Sequence, residues 1–123
     1  MRSRNVLESF RFAFSGLWYA LRTQRNTRIH LTIAAAVIAL GLWLNLSSVQ
    51  WAVLTLTIGS VLVSEMLNTV AETLVDLVSP GYHPLARTVK DVTAGAVLLA
   101  AVVSVIVGLL VLGPPLWARL FGE

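Results

Sequence analysis

Glu65, Asn68, Glu72 and Asp76 form a row of polar residues inside a segment that otherwise reads Val, Leu, Thr, Ile and Ala from Trp51 onward. Offsets of 3, 7 and 11 from the first residue place all four on one side of an α-helix, within an arc of roughly 80°. Ionisable groups at membrane depth are costly, so they normally face a bundle interior or a wet cavity and mark function. Three carboxylates with an amide between them suit a bound cation and a proton acceptor. At a ~1.5 Å rise per residue, Glu65 lies roughly 16 Å deeper than Asp76. The deeper acid is therefore the candidate general base, and Glu72, nearer the exit, the candidate metal ligand. Asn68 lies between them, placed to donate to a phosphate oxygen or to orient Glu65. It also suits ordinary packing between helices.

Such a strip needs a membrane bundle to hold it. The chain has 123 residues, 57% of them hydrophobic, with a mean hydropathy of +0.81. This is one small unit, residues 1–123, outside the usual soluble composition. Cysteine is absent, which excludes disulfide frameworks and thiolate metal sites. We expect an all-α membrane protein with an amphipathic surface helix over about 5–22, where Val6, Phe10, Ala13, Leu17 and Leu21 recur at helical spacing. Spanning helices are expected over about 29–46, 49–78 and 91–112, the last stopped by Gly113, Pro114 and Pro115. Trp43, Trp51 and Trp117 fall near span ends, as interfacial aromatics do.

Charge gives the orientation. Six of the nine cations (Arg2, Arg4, Arg11, Arg22, Arg25 and Arg28) precede the first apolar run, and Arg87 and Lys90 lie between the second and third. The link Asn45–Gln50 carries no charge. Positive-inside topology then puts the N-terminus in the cytoplasm and the C-terminus outside. The basic start does not read as a cleaved signal, because a long helical pattern precedes the first apolar run. It does not read as a nucleic-acid surface either. With this topology Gln24 to His30, Glu72, Asp76, Lys90 and Asp91 all gather at the inner boundary. Arg25 and Arg28 read first as topogenic charges and second as phosphate contacts. His30 reads as an interface residue and His83 as a turn residue. Asp76 is divided between a loop cap and a site acid.

The stretch Glu65-Met-Leu-Asn68-Thr-Val-Ala-Glu72-Thr-Leu-Val-Asp76 resembles the signature E-x-x-N-(S/T)-x-x-E-x-x-x-D of the small prokaryotic diacylglycerol kinases, integral-membrane lipid kinases. Tyr82-His83-Pro84-Leu85-Ala86 and Lys90-Asp91-Val-Thr-Ala-Gly-Ala-Val are similar to that family's second stretch. Upstream, Ser9-Phe10-Arg-Phe-Ala-Phe-Ser-Gly16 and Arg25-Asn26-Thr-Arg28-Ile29-His30 are similar to its N-terminal pattern. The R-N-x-R-I-H and Y-H-P-L-A forms look more like the undecaprenol kinase branch.

The resemblance implies transfer of the γ-phosphoryl group of ATP to a lipid hydroxyl, most closely undecaprenol, with diacylglycerol as the alternative. A small proton or cation conduit and a non-catalytic assembly protein are the readings from other classes. The implied cofactor is Mg²⁺, on Glu72 first and Gln24 second. Family members commonly carry a carboxylate at the position of Gln24, so its amide departs from the pattern. Lys90 supplies charge for the polyphosphate, Asp91 resembles a nucleotide-contacting position, and Arg25 and Asp76 complete the expected nucleotide end. No G-x-x-x-x-G-K-[ST] run is present, so the phosphates are not cradled by a P-loop. Burying the acid strip calls for a homo-oligomer, and the resemblance implies a trimer with active sites shared between subunits.

Overall fold

The computed structural model describes residues 4–122; Arg2, one of the topogenic cations, lies outside them. Its helices are α1 (Val6–Thr23), α2 (Arg25–Leu44), α3 (Ser48–Val78) and α4 (Pro84–Phe121). The last three are long and apolar enough to cross a membrane, which makes the chain the all-α, multi-pass membrane protein expected.

α1 starts at Asn5, whose side chain accepts from the Glu8 backbone N–H at 2.9 Å, while Glu8 accepts from the Arg4 N–H at 2.6 Å. It ends at Gln24, a single extended residue that also begins α2. Arg28 Nη1 reaches back to the carbonyls of Leu21 at 3.1 Å and Arg22 at 3.0 Å. Those oxygens are among the orphans of a helix C-terminus, so Arg28 fixes the angle between α1 and α2. α2 stops at Asn45, which takes the left-handed conformation at φ 55° that Asn tolerates. Ser47 and Gln50 then form a reciprocal capping box for α3.

α3 and α4 form the main antiparallel pair, and α2 packs against both. The apolar contact lies toward the α2–α3 link, where Leu44, Leu54 and Leu112 are buried together and Trp51, Val111 and Leu116 close around them. Gly41 makes room for this: a Cβ there would sit 2.7 Å from Cη2 of Trp51.

The third span differs from expectation. Instead of stopping at Leu112, α4 continues through Gly113, Pro114 and Pro115 to Phe121. The two prolines cannot bond the carbonyls of Leu110 and Val111, but their φ is compatible with a helix. The final turns are held by side chains: Leu116 joins the leucine cluster, and the Arg119 guanidinium lies 4.5 Å from the Trp43 ring centroid. At its other end α4 begins at Pro84 rather than 91, because Pro84 occupies the first turn, where a missing N–H costs nothing. His83 caps it, with Nδ1 accepting from Leu85 N–H at 3.1 Å. α2 likewise begins at Arg25 rather than 29, because Gln24 alone separates it from α1.

Candidate functional site

α3 is rich in hydroxyls, and most of them are chemically silent. Thr57, Ser60, Ser64, Thr69 and Thr73 each donate to the carbonyl one turn back, at 2.7 to 3.0 Å, which hides a hydroxyl in an apolar helix. Among the described residues, the buried side-chain atoms without a hydrogen-bond partner are Thr27 Oγ1, Glu65 Oε1 and Asn68 Oδ1. Native proteins leave few such atoms, and each one calls for an explanation.

The register of α2 on α3 brings these three residues to neighbouring turns. Glu65 is 2% exposed, and its Oε1 lies 3.1 Å from His30 Nε2 on α2. The contact is an electrostatic approach; Oε1 makes no hydrogen bond of sound geometry. Because α2 and α3 run antiparallel, Thr27, one turn before His30, comes level with Asn68, one turn after Glu65. A further turn outward, Gln24 comes level with Ala71 and Glu72. Asn68 Nδ2 donates to Glu72 Oε1 at 3.3 Å. The expected base, amide and metal ligand therefore form a continuous run from a buried carboxylate to a half-buried one.

The rest of the expected set is more dispersed. Lys90 Nζ donates to Asp76 Oδ1 at 2.9 Å, joining α3 to α4 on an exposed flank. Asp91 pairs with Arg87 of its own helix, Nε to Oδ1 3.2 Å, and both are exposed. Arg25 is exposed at the first residue of α2. Gln24 is half-buried and makes no side-chain cap bond to α2.

From His30 a cavity of about 360 Å³ runs between α2, α3 and α4 toward the leucine cluster, past Ala34, Val61, Val105 and Leu109. Its few hydroxyls, Thr57 and Ser104, are bonded to their own helix backbones. The lining is thus apolar with a polar head at His30, the shape of a site for a hydrocarbon chain ending in a polar group.

The sequence brings His30 to the inner boundary as an interface residue without a site role; the fold adds that its imidazole meets the deepest acid. The usable signal was Thr27 and His30 at an offset of 3, one polar turn entering an apolar span. Nothing in one sequence says which helix that turn faces.

Among the described residues, no group of three His, Cys, Asp or Glu side chains converges as a metal cage. Mg²⁺ does not need one, since it commonly takes one or two carboxylates and completes its octahedron with water and phosphate oxygens. The Glu72 carboxylate, with Oε1 bonded to the Asn68 amide, fits that habit. Gln24, level with Glu72, makes no side-chain cap bond and has a carbonyl oxygen to offer.

A family model described as prokaryotic diacylglycerol kinase matches residues 11–112. A diacylglycerol kinase of Synechocystis is 51% identical over 113 residues, covering 91% of this chain but 65% of that protein, so the chain spans slightly less than two thirds of that relative. An undecaprenol kinase of Bacillus subtilis is 43% identical over 109 residues, covering 89% of each chain. A diacylglycerol kinase of Escherichia coli is 26% identical over 101 residues, 82% of this chain and 83% of its own. The expected lean toward the undecaprenol branch is not carried by these comparisons, since the higher identity falls on a diacylglycerol kinase.

Proposed function

The chain belongs to the prokaryotic diacylglycerol kinase family, phosphotransferases with an alcohol as acceptor, and we propose that it transfers the γ-phosphoryl group of ATP to the hydroxyl of diacylglycerol at the membrane surface. The observation that carries this reading is the buried Glu65 set 3.1 Å behind His30, the polar head of an apolar cavity. A lipid tail fits the cavity, and the hydroxyl at its head would then meet His30 and, behind it, the Glu65 carboxylate.

Phosphoryl transfer needs positioning, charge stabilisation and an acceptor for the hydroxyl proton. Glu65 takes the proton as the lipid oxygen attacks the γ-phosphorus. The bond from that phosphorus to the β,γ-bridging oxygen breaks, and its electron pair leaves with ADP. Mg²⁺ held by Glu72 and Gln24 would neutralise charge on the transferred group. Asn68, with Nδ2 on Glu72 and Oδ1 free, steadies the metal end one turn from the base. Lys90, tethered by Asp76, sits where a polyphosphate would approach, and exposed Arg25 on α2 and Asp91 on α4 are further candidate nucleotide contacts.

ATP is cytoplasmic, and the end that carries Gln24, Asp76 and Lys90 also carries the arginines of α1 and Arg87, so this end lies on the inner side. Unpaired polar atoms in a single protomer, on helices thinly packed for a membrane bundle, support a homotrimer whose neighbours complete each site. Undecaprenol remains the second reading, favoured by the relative matched over 89% of both chains.

The test is ATP- and Mg²⁺-dependent phosphate incorporation by purified protein, with diacylglycerol and undecaprenol offered side by side in mixed micelles. Preference for diacylglycerol supports the first reading and preference for undecaprenol the second. Incorporation into neither overturns the kinase assignment.

A further inference from the structure

Of the roles the sequence allows Asn68, orienting Glu65 is not the one its bond serves: in the fold Asn68 donates to Glu72, so the proposed base has no partner there. Thr27 does not replace it, because Thr27 Oγ1 is itself unpaired. The polar group that meets Glu65 is the His30 imidazole, at 3.1 Å from Oε1. His30 also lines the apolar cavity, so one side chain touches both the base and the chamber from which an acceptor hydroxyl would come.

We propose that His30 is a positioning residue for phosphoryl transfer: its imidazole engages Oε1 of Glu65 and so presents Oε2 to the acceptor hydroxyl at the head of the cavity. The inference rests on the kinase reading above. A carboxylate on a three-torsion side chain has several rotamers, and ordering it before the reaction is where positioning contributes. His30 forms and breaks no bond in the step. The proton passes from the lipid hydroxyl to Glu65, and the β,γ-bridging bond of ATP breaks as before. His30 also sets a polar group 3.1 Å from an acid that lies 2% exposed in an apolar bundle, where a carboxylate without a polar neighbour is costly.

The experiment compares His30→Ala and His30→Gln in the full chain, in mixed micelles. His30→Ala should lower kcat about 10²-fold, as loss of alignment does. KM for ATP and for lipid should stay within about two-fold. His30→Gln keeps an N–H at similar reach and should recover most of the loss. In a Glu65→Gln background, His30→Ala should cost nothing further, because the two residues act as a unit. Additive losses, an effect confined to KM, or a Gln variant as poor as the Ala variant would each overturn the proposal.

A second readout does not need turnover. The Nε2 resonance of ¹⁵N-labelled His30 in bilayers should move on Glu65→Gln and stay in place on Asp76→Asn. An unmoved resonance removes the contact and the proposal with it. A parent chain inactive on both lipids would instead refute the kinase reading, and the resonance would still decide the contact.

Discussion

Toward the α2–α3 link, Leu44, Leu54 and Leu112 bury one another, Gly41 admits the Trp51 ring, and Asn45 and Ser47 finish their helix ends. Toward the α3–α4 loop, buried Thr27 and Glu65 and half-buried Asn68 each carry a buried polar atom without a partner. The first region holds the helices in register, and the second lies where that register brings costly groups together. Real proteins break the rule of satisfied burial mainly where function requires it. The two regions should therefore fail in different ways: one by losing the fold, the other by losing chemistry within an intact fold.

The largest effect should come from the deepest acid. Glu65→Gln keeps the volume and removes the proposed proton acceptor, so phosphate incorporation should fall by about 10²–10⁴-fold while oligomer size and ATP binding persist. Near-normal turnover in that variant would move the base elsewhere. Next comes the outer acid. Glu72→Gln should cost at least about 10²-fold at ordinary Mg²⁺, with part of the loss recovered at raised Mg²⁺, and chelation should silence the parent reversibly. A loss indifferent to Mg²⁺ concentration would show that Glu72 is not on the metal.

Much of this division was legible in the sequence. The offsets of the acid strip, the charge asymmetry and the long apolar runs gave an all-α bundle with polar chemistry at one end, and three helices able to span are present. Two features were not legible, each for a physical reason. Pro114 and Pro115 read as a stop, since local propensity counts missing donors; Leu116 and Arg119, which hold the continued helix, act through tertiary contacts. His30 read as an interface residue, since its partner lies 35 positions away and helix rotation is not encoded locally. The acceptor lipid was not legible either, because a cavity of Ala, Val and Leu accepts aliphatic chains generically.

The packed end offers the intermediate effects. Gly41→Ala would put a methyl 2.7 Å from the Trp51 ring, and overpacking of this kind costs about 1–3 kcal/mol. Thermal stability in micelles should fall, while kcat of the protein that remains folded stays near the parent value. A kcat loss without a stability loss would erase the contrast between the two ends. Gln24→Glu works in the other direction at the polar end. A charged oxygen level with Glu72 should strengthen Mg²⁺ dependence by up to about 10-fold in the half-saturating concentration, with little change at saturating Mg²⁺.

The smallest effect should fall at the Asp76–Lys90 pair, and it locates the boundary between the two kinds of region. The pair is well formed at 2.9 Å but exposed on both sides. Exposed ion pairs contribute about 0–1 kcal/mol, so Asp76→Asn should hardly move the melting temperature. Its consequence should appear in nucleotide affinity instead. On the proposed reading Asp76 competes with a polyphosphate for the Lys90 ammonium, so releasing it should lower KM for ATP by a factor of about two to five, and Lys90→Met should raise it. Both shifts should shrink as salt is raised, because screening acts on exposed charges first. If Asp76→Asn instead lowered kcat more than about tenfold, Asp76 would belong to the chemistry with Glu65 and Glu72. The functional strip would then extend through the helix exit into the loop.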